Sequence, residues 1–579
     1  MLGTIVALVL SFFLIILIVS GIMSSAKNDH NENISSNSIL QLKLDYPIKE
    51  RSNNNPFSML HLGDFSLSTE PGLNDILAEI HKAKTDENIQ GIYMELSAIP
   101  TGIATLEEIR NALIDFKTSG KFIYSYGNSL SQTAYYLASA SDKIFLHPEG
   151  GIDWKGIKAE IMFYKGTLAK LEVEPQIIRH GKFKSAIEPY ILDKMSPENK
   201  EQIASFVGSI WQQLMSNISR SRNIPVTRLQ ALADSLAGED PQQCLRNRMV
   251  DDLLYKDQVL TLLRNKIKIG EKEKINFVSL RKYAHAVEKK TKKEFIKDRI
   301  AVVYAYGAID EGKDDNSINS EKISETLRKA RLDEHVKAVV LRINSPGGSA
   351  LASDIIWREV ELTKKVKPVV ASFGDYAASG GYYIACAATK IISQPNTITG
   401  SIGVFGVLFN AQKLINNKLG ITIDTFKTAR MADYGTVWRA MTASERNVIQ
   451  REIEHIYNGF VGKVSAGRNL SKAFVDSIGQ GRVWSAVDAK RLGLVDAFGG
   501  VQTAIDEAAR LAHISKYRTM DLPEQKEPLQ RLFEGLSEDA KVFFMSSEMK
   551  ESYPMYQKIN SVLNQRGIQA RMPFDIDIY

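Results

Sequence analysis

Short apolar runs and longer amphipathic stretches alternate along most of this chain. From about Gly72 the apolar positions of 76–84 recur at helical spacing, and 91–96 is a short apolar run. Residues 106–118 are helical again, and 122–126 is a second short run. A helix with one buried face repeats every 3.6 residues, whereas a strand buried on both faces reads as an uninterrupted apolar run. The alternation predicts an α/β fold with a largely parallel, buried sheet. Upstream, 39–44 alternates apolar and polar like a further strand, within an Asn- and Ser-rich stretch (27–60) that reads as tether and surface loop.

After residue 299 the same pattern starts again. Strands are predicted at 300–304, 338–343 and 369–373, and helices at 323–329 and 355–365. At an offset of 247 residues the two halves align without gaps: SYGNSLSQTAYYLASASDKIFLHP (125–148) faces SFGDYAASGGYYIACAATKIISQP (372–395). Ser125, Gly127, Tyr135, Tyr136, Ala138, Ala140, Lys143, Ile144 and Pro148 have identical partners. The period is far too long for a solenoid, so the chain reads as two related domains from a duplication.

Composition adds three things. The 579 residues are 44% hydrophobic and 24% charged, ordinary globular values for several domains. The net charge of +6 gives no nucleic-acid footprint, and two cysteines cannot build a disulfide framework or a Cys-rich metal site. Residues 1–26 carry no charge and 2–23 are nearly all apolar, about the 20 residues that cross a bilayer core. They predict an uncleaved membrane anchor, with a signal cleaved after Ser24-Ser25-Ala26 as the alternative. Residues 256–299 hold fourteen Lys/Arg against six Asp/Glu, which reads as a solvated basic connector or a lipid-attracted surface. The expected organisation is anchor 1–26, first domain 27–255, connector 256–299, second domain 300–515 and C-terminal extension 516–579, with a helical stretch at 529–544 assigned to assembly.

Where the halves differ, chemistry is the candidate reason. The second half has Asn344-Ser345-Pro346-Gly347-Gly348-Ser349 directly after a strand, where paired glycines can turn the backbone and present amides. It also has Ala377-Ala378-Ser379-Gly380-Gly381, in which Ser379 aligns with Gln132 of the first half. Gly380 puts a free amide beside the hydroxyl, as an oxyanion hole requires, although the string is not a G-x-S-x-G elbow. None of the nine histidines sits in a motif that marks a base, and no H-E-x-x-H or Cys/His cluster offers metal ligands. That leaves a Ser-Lys arrangement, in which burial has to bring a lysine from ~10.4 towards ~7–8. Lys184, in Gly-Lys-Phe-Lys-Ser-Ala-Ile-Glu-Pro-Tyr (181–190), is a candidate; composition alone does not separate it from Lys182 or Lys390. The string Ser279-x-x-Lys282 is a chance match in the basic segment.

Four motifs, NSPGGS (344–349), GDYAASGGYY (374–383), TGSIGVFG (399–406) and FKSAIEPY (183–190), stand in the order found in the signal peptide peptidase A (protease IV) family, which the chain resembles in its long, double-domain form. The resemblance covers nearly the whole chain after the anchor. It implies a tandem of Clp protease/crotonase-like domains of β-β-α superhelix type behind a transmembrane helix. It implies Ser379 as nucleophile from the second domain and Lys184 as general base from the first. Gly348 and Gly380 would form the oxyanion hole, and Ser401 would orient the lysine. It implies no cofactor and no metal, peptide substrates, chiefly cleaved signal peptides, and a homotetramer on the inner membrane with its body in the periplasm. At offset 247 Lys184 faces Met431, so each half would keep one catalytic residue and lose the other. An inactive scaffold of the same fold and a crotonase-type acyl-CoA enzyme stand as alternatives.

Overall fold

The apolar runs become strands of two parallel sheets. A computed structural model describes residues 34–52, 70–286, 296–312, 317–525 and 568–572. The proposed anchor 1–26 and the stretch 529–544 lie outside the described residues. Among the described residues, no helix is long and apolar enough to cross a membrane. In the first half, β1 (Ser38–Leu42), β2 (Ile89–Glu95), β3 (Phe122–Gly127) and β4 (Lys143–Leu146) pair in parallel in that order. Helices α1 (Leu73–Thr85) and α2 (Ile103–Lys117) connect the strands, and α3 (Gln132–Ala138) follows β3. Next come β5 (Glu174–Arg179), the long α4 (Pro197–Arg222) and the short β6 (Asp252–Leu253), which pairs with β4. The start and stop of α4 are written in its sequence. Ser196 Oγ accepts from Asn199 N–H at 3.1 Å, Pro197 takes a first-turn position that needs no amide, and Asn223 ends the helix at φ 54°.

The second half repeats this register. Helix α1 of thirteen residues is matched at the 247 offset by α6 (Ser320–Leu332), and α2 of fifteen residues by α7 (Ala350–Lys364). The parallel strands here are β8 (Arg299–Tyr306), β9 (Val336–Ser345), β11 (Val369–Ala378) and β12 (Lys390–Ser393). Between β9 and α7 lies the short β10 (Gly347–Ser349), and β11 runs into α8 (Gly380–Ala385). Beyond β12 come β13 (Ile398–Gly400), β14 (Phe405–Asn410), α9 (Ala443–Arg468) and β15 (Val483–Ser485).

Three parts of the expected organisation differ. Residues 256–279, read as the start of a basic connector, complete the first half. Helix α5 (Lys256–Ile267) buries Val259, Leu263 and Ile267 at four-residue spacing, and β7 (Phe277–Ser279) pairs with β1 at the sheet edge. Their repeat counterparts are α10 (Val501–Leu511) and β16 (Arg518–Leu522), the latter pairing with β8. The charge lies on the outer face of α5, and counting it hid the apolar stripe beneath. For the same reason the C-terminal extension gives its first residues to the second sheet. Ser279 in the Ser-x-x-Lys string caps the helix Leu280–His285 by accepting from Lys282 N–H at 3.3 Å. Finally, the surface-loop reading of 27–60 fails just after the strand run 39–44: Ile48 and Glu50 are buried.

Glu50 is buried because it ties the halves together. It accepts from Arg342 Nε of β9 at 2.8 Å, and the same guanidinium reaches Glu108 Oε1 of α2 at 2.6 Å. Arg342 also donates to Ser372 Oγ and Phe373 O, both at 3.0 Å, and its side chain is fully buried. Beside it, Asp375 of β11 accepts from Thr105 N–H and Oγ1 in the first turn of α2, at 3.0 and 2.6 Å. Burial pushes the Glu108 and Asp375 carboxyls up, opposed by Arg342 for the first and by the Thr105 bonds for the second. A third seam is the antiparallel pairing of β5 with β14, from Arg179 opposite Phe405 to Glu174 opposite Asn410.

Candidate active site

Ser379 stands at the turn between β11 and α8, with φ 54° and ψ −112°. That backbone is unfavourable for any residue with a Cβ, and such strain persists only where the surroundings impose it. Here Ser379 N–H donates to Gly400 O of β13 at 2.8 Å, which fixes the end of the strand. The helix follows at once because Gly380 and Gly381 let it pack closely. A Cβ on Gly381 would come within 2.8 Å of Ser345 O, and one on Gly380 within 2.6 Å of Ser353 Oγ. The segment is thus a strained strand-to-helix turn, although its sequence lacks the flanking glycine pattern of an elbow.

Lys184 reaches this turn from the first half. After β5 the chain turns at Gly181, φ +85°, where a Cβ would strike the backbone of Gln480. Phe183 N–H then donates to Gln480 O at 3.1 Å. Behind the lysine, Gln202 and Asn199 of α4 hold its loop. Gln202 Nε2 donates to Ser185 Oγ at 2.8 Å, Ser185 Oγ donates to Asn199 Oδ1 at 2.9 Å, and Gln202 Oε1 accepts from Val483 N–H of β15 at 3.1 Å. The side chain is fully buried. Its Nζ lies 2.9 Å from Ser379 Oγ, 3.0 Å from Ser401 Oγ and 3.3 Å from Ser401 O. Two glycines make the room: a Cβ on Gly403 would stand 3.4 Å from Lys184 Cδ, and one on Gly481 2.6 Å from Lys184 Cβ. Burial pulls the amine well below the ordinary lysine range, and among the described residues no carboxylate is paired with it to oppose this.

The remaining expected residues lie close by. Ser401, φ 51°, follows β13 and donates its amide to Arg482 O at 2.7 Å. Gly348 is in β10; a Cβ there would overlap Ile309 O at 2.0 Å, so only glycine fits. A Cβ on Gly380 would lie 3.1 Å from the amide nitrogen of Gly348, which brings the two glycine amides into one corner. A strand absent from the sequence reading, β17 (Gln569–Arg571), runs antiparallel between β10 and β14 across that corner. Sequence reasoning also missed Asn199, Gln202, Gly403 and Gly481. Only the glycines had a visible signal, in the motif 399–406 and in the Gly-Gln-Gly string 479–481.

Of the other lysine candidates, Lys182 lies over the Phe183 ring and Lys390 faces Asp496 at 3.5 Å, so neither is at the serine. In the first half, Gln132 occupies the serine's repeat position, where its Oε1 accepts from Gly156 N–H at 3.0 Å. The stretch around Met431 is a surface loop in which Lys427 pairs with Asp433 at 3.0 Å. Among the described residues the duplicated chain therefore assembles one such constellation, from both halves.

A hydroxyl beside a buried amine, with glycine amides close by, is an arrangement able to perform acyl transfer, and the class it marks is that of the serine hydrolases. The comparisons with known proteins narrow the class. The family model described as peptidase family S49 matches twice, over residues 115–270 and 361–515. "Protease 4" of Salmonella typhi is 34% identical over 88% of this chain and 84% of its own length. "Protease 4" of Haemophilus influenzae is 36% identical over 76% of this chain and 73% of its own. The chloroplastic "Serine protease SPPA" of Arabidopsis thaliana is 31% identical over 85% and 72%. The chain belongs to peptidase family S49 and is a serine peptidase, which sets aside the acyl-CoA alternative.

Proposed function

We propose that Ser379 is the nucleophile and Lys184 the general base of a composite dyad, one residue from each half. The observation that carries this reading is the 2.9 Å separation between Ser379 Oγ and a fully buried amine. A neutral amine has two N–H donors and one lone pair. With the donors directed at Ser401 Oγ and Ser401 O, the lone pair is left for the Ser379 proton. Ser401 is thereby a positioning residue, and its own hydroxyl faces Gly481 O at 3.4 Å. Attack by Ser379 on a peptide carbonyl places negative charge where the amides of Gly348 and Gly380 converge. Lys184 then passes the proton to the leaving amine, and water resolves the acyl-enzyme.

The substrates of this reading are cleaved signal peptides and other short apolar peptides, met at the inner membrane by a periplasm-facing enzyme on an N-terminal anchor. The apolar run 2–23 and the family resemblance support it. Each half is read as a Clp protease/crotonase-type β-β-α superhelix, supported by the repeated units β2-α2-β3-α3-β4 and β9-β10-α7-β11-α8-β12. A homotetramer is the proposed assembly. The excursion between β14 and α9 supports it by exposing Leu419, Ile421, Ile423, Trp438 and Phe426, the last at 92%.

The test is the rate at which a fluorophosphonate acylates Ser379 as pH changes. Only the unprotonated amine can act as base, so the rate is expected to rise with pH. Because burial depresses the Lys184 pKa, the midpoint is expected below the ordinary lysine value of ~10.4. A rate that is flat from acid to alkaline pH removes lysine from the mechanism. A second outcome follows from packing. Gly481 has φ +83°, and a methyl group there would lie 2.6 Å from Lys184 Cβ. Gly481→Ala is expected to lower kcat by at least about tenfold through misplacement of the amine, with KM little changed. Unchanged kcat would show that the lysine tolerates displacement.

A further inference from the structure

Beside the lysine turn the two halves meet in a contact that the dyad does not use. His180 directly follows β5 and stands four positions before Lys184. Its ring stacks on that of Tyr457 in α9, with centroids 3.7 Å apart and planes 23° from parallel. Its Nδ1 lies 2.9 Å from Glu454 Oε2, on the same face of α9 one turn earlier. Gln450 Nε2 donates to the other oxygen of that carboxylate at 2.7 Å. The His180 amide donates to Val404 O at 3.3 Å. The end of a first-half strand is thereby seated on a second-half helix.

The other end of the same tyrosine holds the wall against which Lys184 packs. Tyr457 is buried, and its hydroxyl donates to Asp476 Oδ1 at 2.6 Å while accepting from Gln480 N–H at 3.1 Å. Burial and the Asp476 bond push the phenol up, so its proton stays in place. Gln480 has φ 52°, a conformation that its surroundings have to impose on a residue with a Cβ. Both of its backbone groups are engaged, the N–H with Tyr457 and the carbonyl with Phe183 N–H at 3.1 Å. The next residue, Gly481, abuts Lys184. One side chain thus touches the lysine-bearing turn through its ring and the lysine-facing turn through its hydroxyl. At the repeat offset of 247, Tyr457 faces Ile210 and His180 faces Lys427, so this pair, like the dyad, is not duplicated.

We propose that His180 and Tyr457 are positioning residues for Lys184, clamping the turns 181–185 and 479–481 so that the amine is held against Ser379 and kept from water. The inference rests on the dyad reading above. The role is placement and not proton transfer: the imidazole Nδ1 is directed at Glu454 and the phenol proton at Asp476. Loosening the clamp has two consequences. Misplacing a reacting group by ~1 Å costs up to about 10²-fold in rate, with no need for substrate binding to change. Water that reaches the amine stabilises its charged form and moves its pKa back towards the ordinary lysine value.

Steady-state hydrolysis of an apolar peptide by the full chain tests this, with the pH profile of fluorophosphonate acylation measured in parallel. Tyr457→Phe keeps the stacked ring and releases Gln480. It is expected to lower kcat about tenfold with KM within ~twofold of wild type, and to move the midpoint of the acylation profile upward. His180→Ala is expected to produce the same two changes. His180→Phe restores a ring over Tyr457 without the Glu454 contact, and is expected to recover most of kcat and the wild-type midpoint. The His180 side chain is 25% exposed, so its variants carry the test if Tyr457→Phe does not fold. A fall in kcat with an unmoved midpoint marks general destabilisation and overturns the inference. So does a His180→Phe variant no better than His180→Ala, or wild-type kinetics in both Tyr457→Phe and His180→Ala. In each of these cases a wild-type rate that rises with pH leaves the dyad standing, whereas a wild-type rate flat in pH overturns both.

Discussion

Ser379→Ala and Lys184→Met are each expected to lower peptide hydrolysis by about 10⁴- to 10⁶-fold, and the double variant is expected to be no worse than either single one. Residues that act as one unit lose their common function when any of them is removed, so their effects do not add. Here the unit is the 2.9 Å contact between a hydroxyl and an amine contributed by different halves. Steady-state turnover of an apolar peptide measures the loss, and circular dichroism melting separates it from unfolding. Lys184→Met is expected to melt at the same temperature as wild type or higher. It exchanges a fully buried amine for an apolar chain of similar length, and Ser379 and Ser401 retain Gly403 O and Gly481 O, each at 3.4 Å, as acceptors. Turnover within tenfold of wild type in either single variant excludes the dyad and revives the inactive-scaffold reading.

Arg342→Met is expected to cost about 3–5 kcal/mol of stability, roughly 3–4 °C in Tm for a chain of this size. The guanidinium is the cation facing two buried carboxylates, Glu50 at 2.8 Å and Glu108 at 2.6 Å, with the raised Asp375 carboxyl nearby. Removing one partner of a buried ion pair leaves uncompensated charge, which is far worse than removing the whole group. The triple variant Arg342→Met, Glu50→Gln, Glu108→Gln is therefore expected to recover most of the loss. A single variant that melts within ~1 °C of wild type would show that the cluster does not hold the halves together. Because Asn344 bonds Glu50 at 2.9 Å and stands two residues before Pro346, activity is expected to fall along with stability.

Much of the fold was legible because the signals are local. The strands at 91–96, 122–126, 338–343 and 369–373 were visible as apolar runs, and β9 and β11 extend past the expected ends toward the site. The offset of 247 carried more than its identities suggested, since it places α6 on α1 and α7 on α2 without a shift. Charge was the misleading signal. Residues 256–267 look like solvated linker by composition, yet three apolar residues at four-residue spacing are enough to dock the helix. Glu50 misled in the opposite sense: a lone carboxylate in an Asn-rich stretch looks exposed until its Arg342 partner is known.

The sequence alone carried the duplication, the parallel α/β pattern and the serine between glycines, because periodicity and turn chemistry are properties of neighbouring residues. It could not bring Lys184 to Ser379 across 195 positions. That meeting depends on β5 pairing with β14 and on Gln202 bridging to Val483, contacts between segments whose local patterns contain no reference to each other. Nor could it place Ala570 against Gly348, since a short strand acquires its meaning from the edge it joins. Burial, which only the assembled fold creates, is also what takes the Lys184 amine out of the ordinary lysine range.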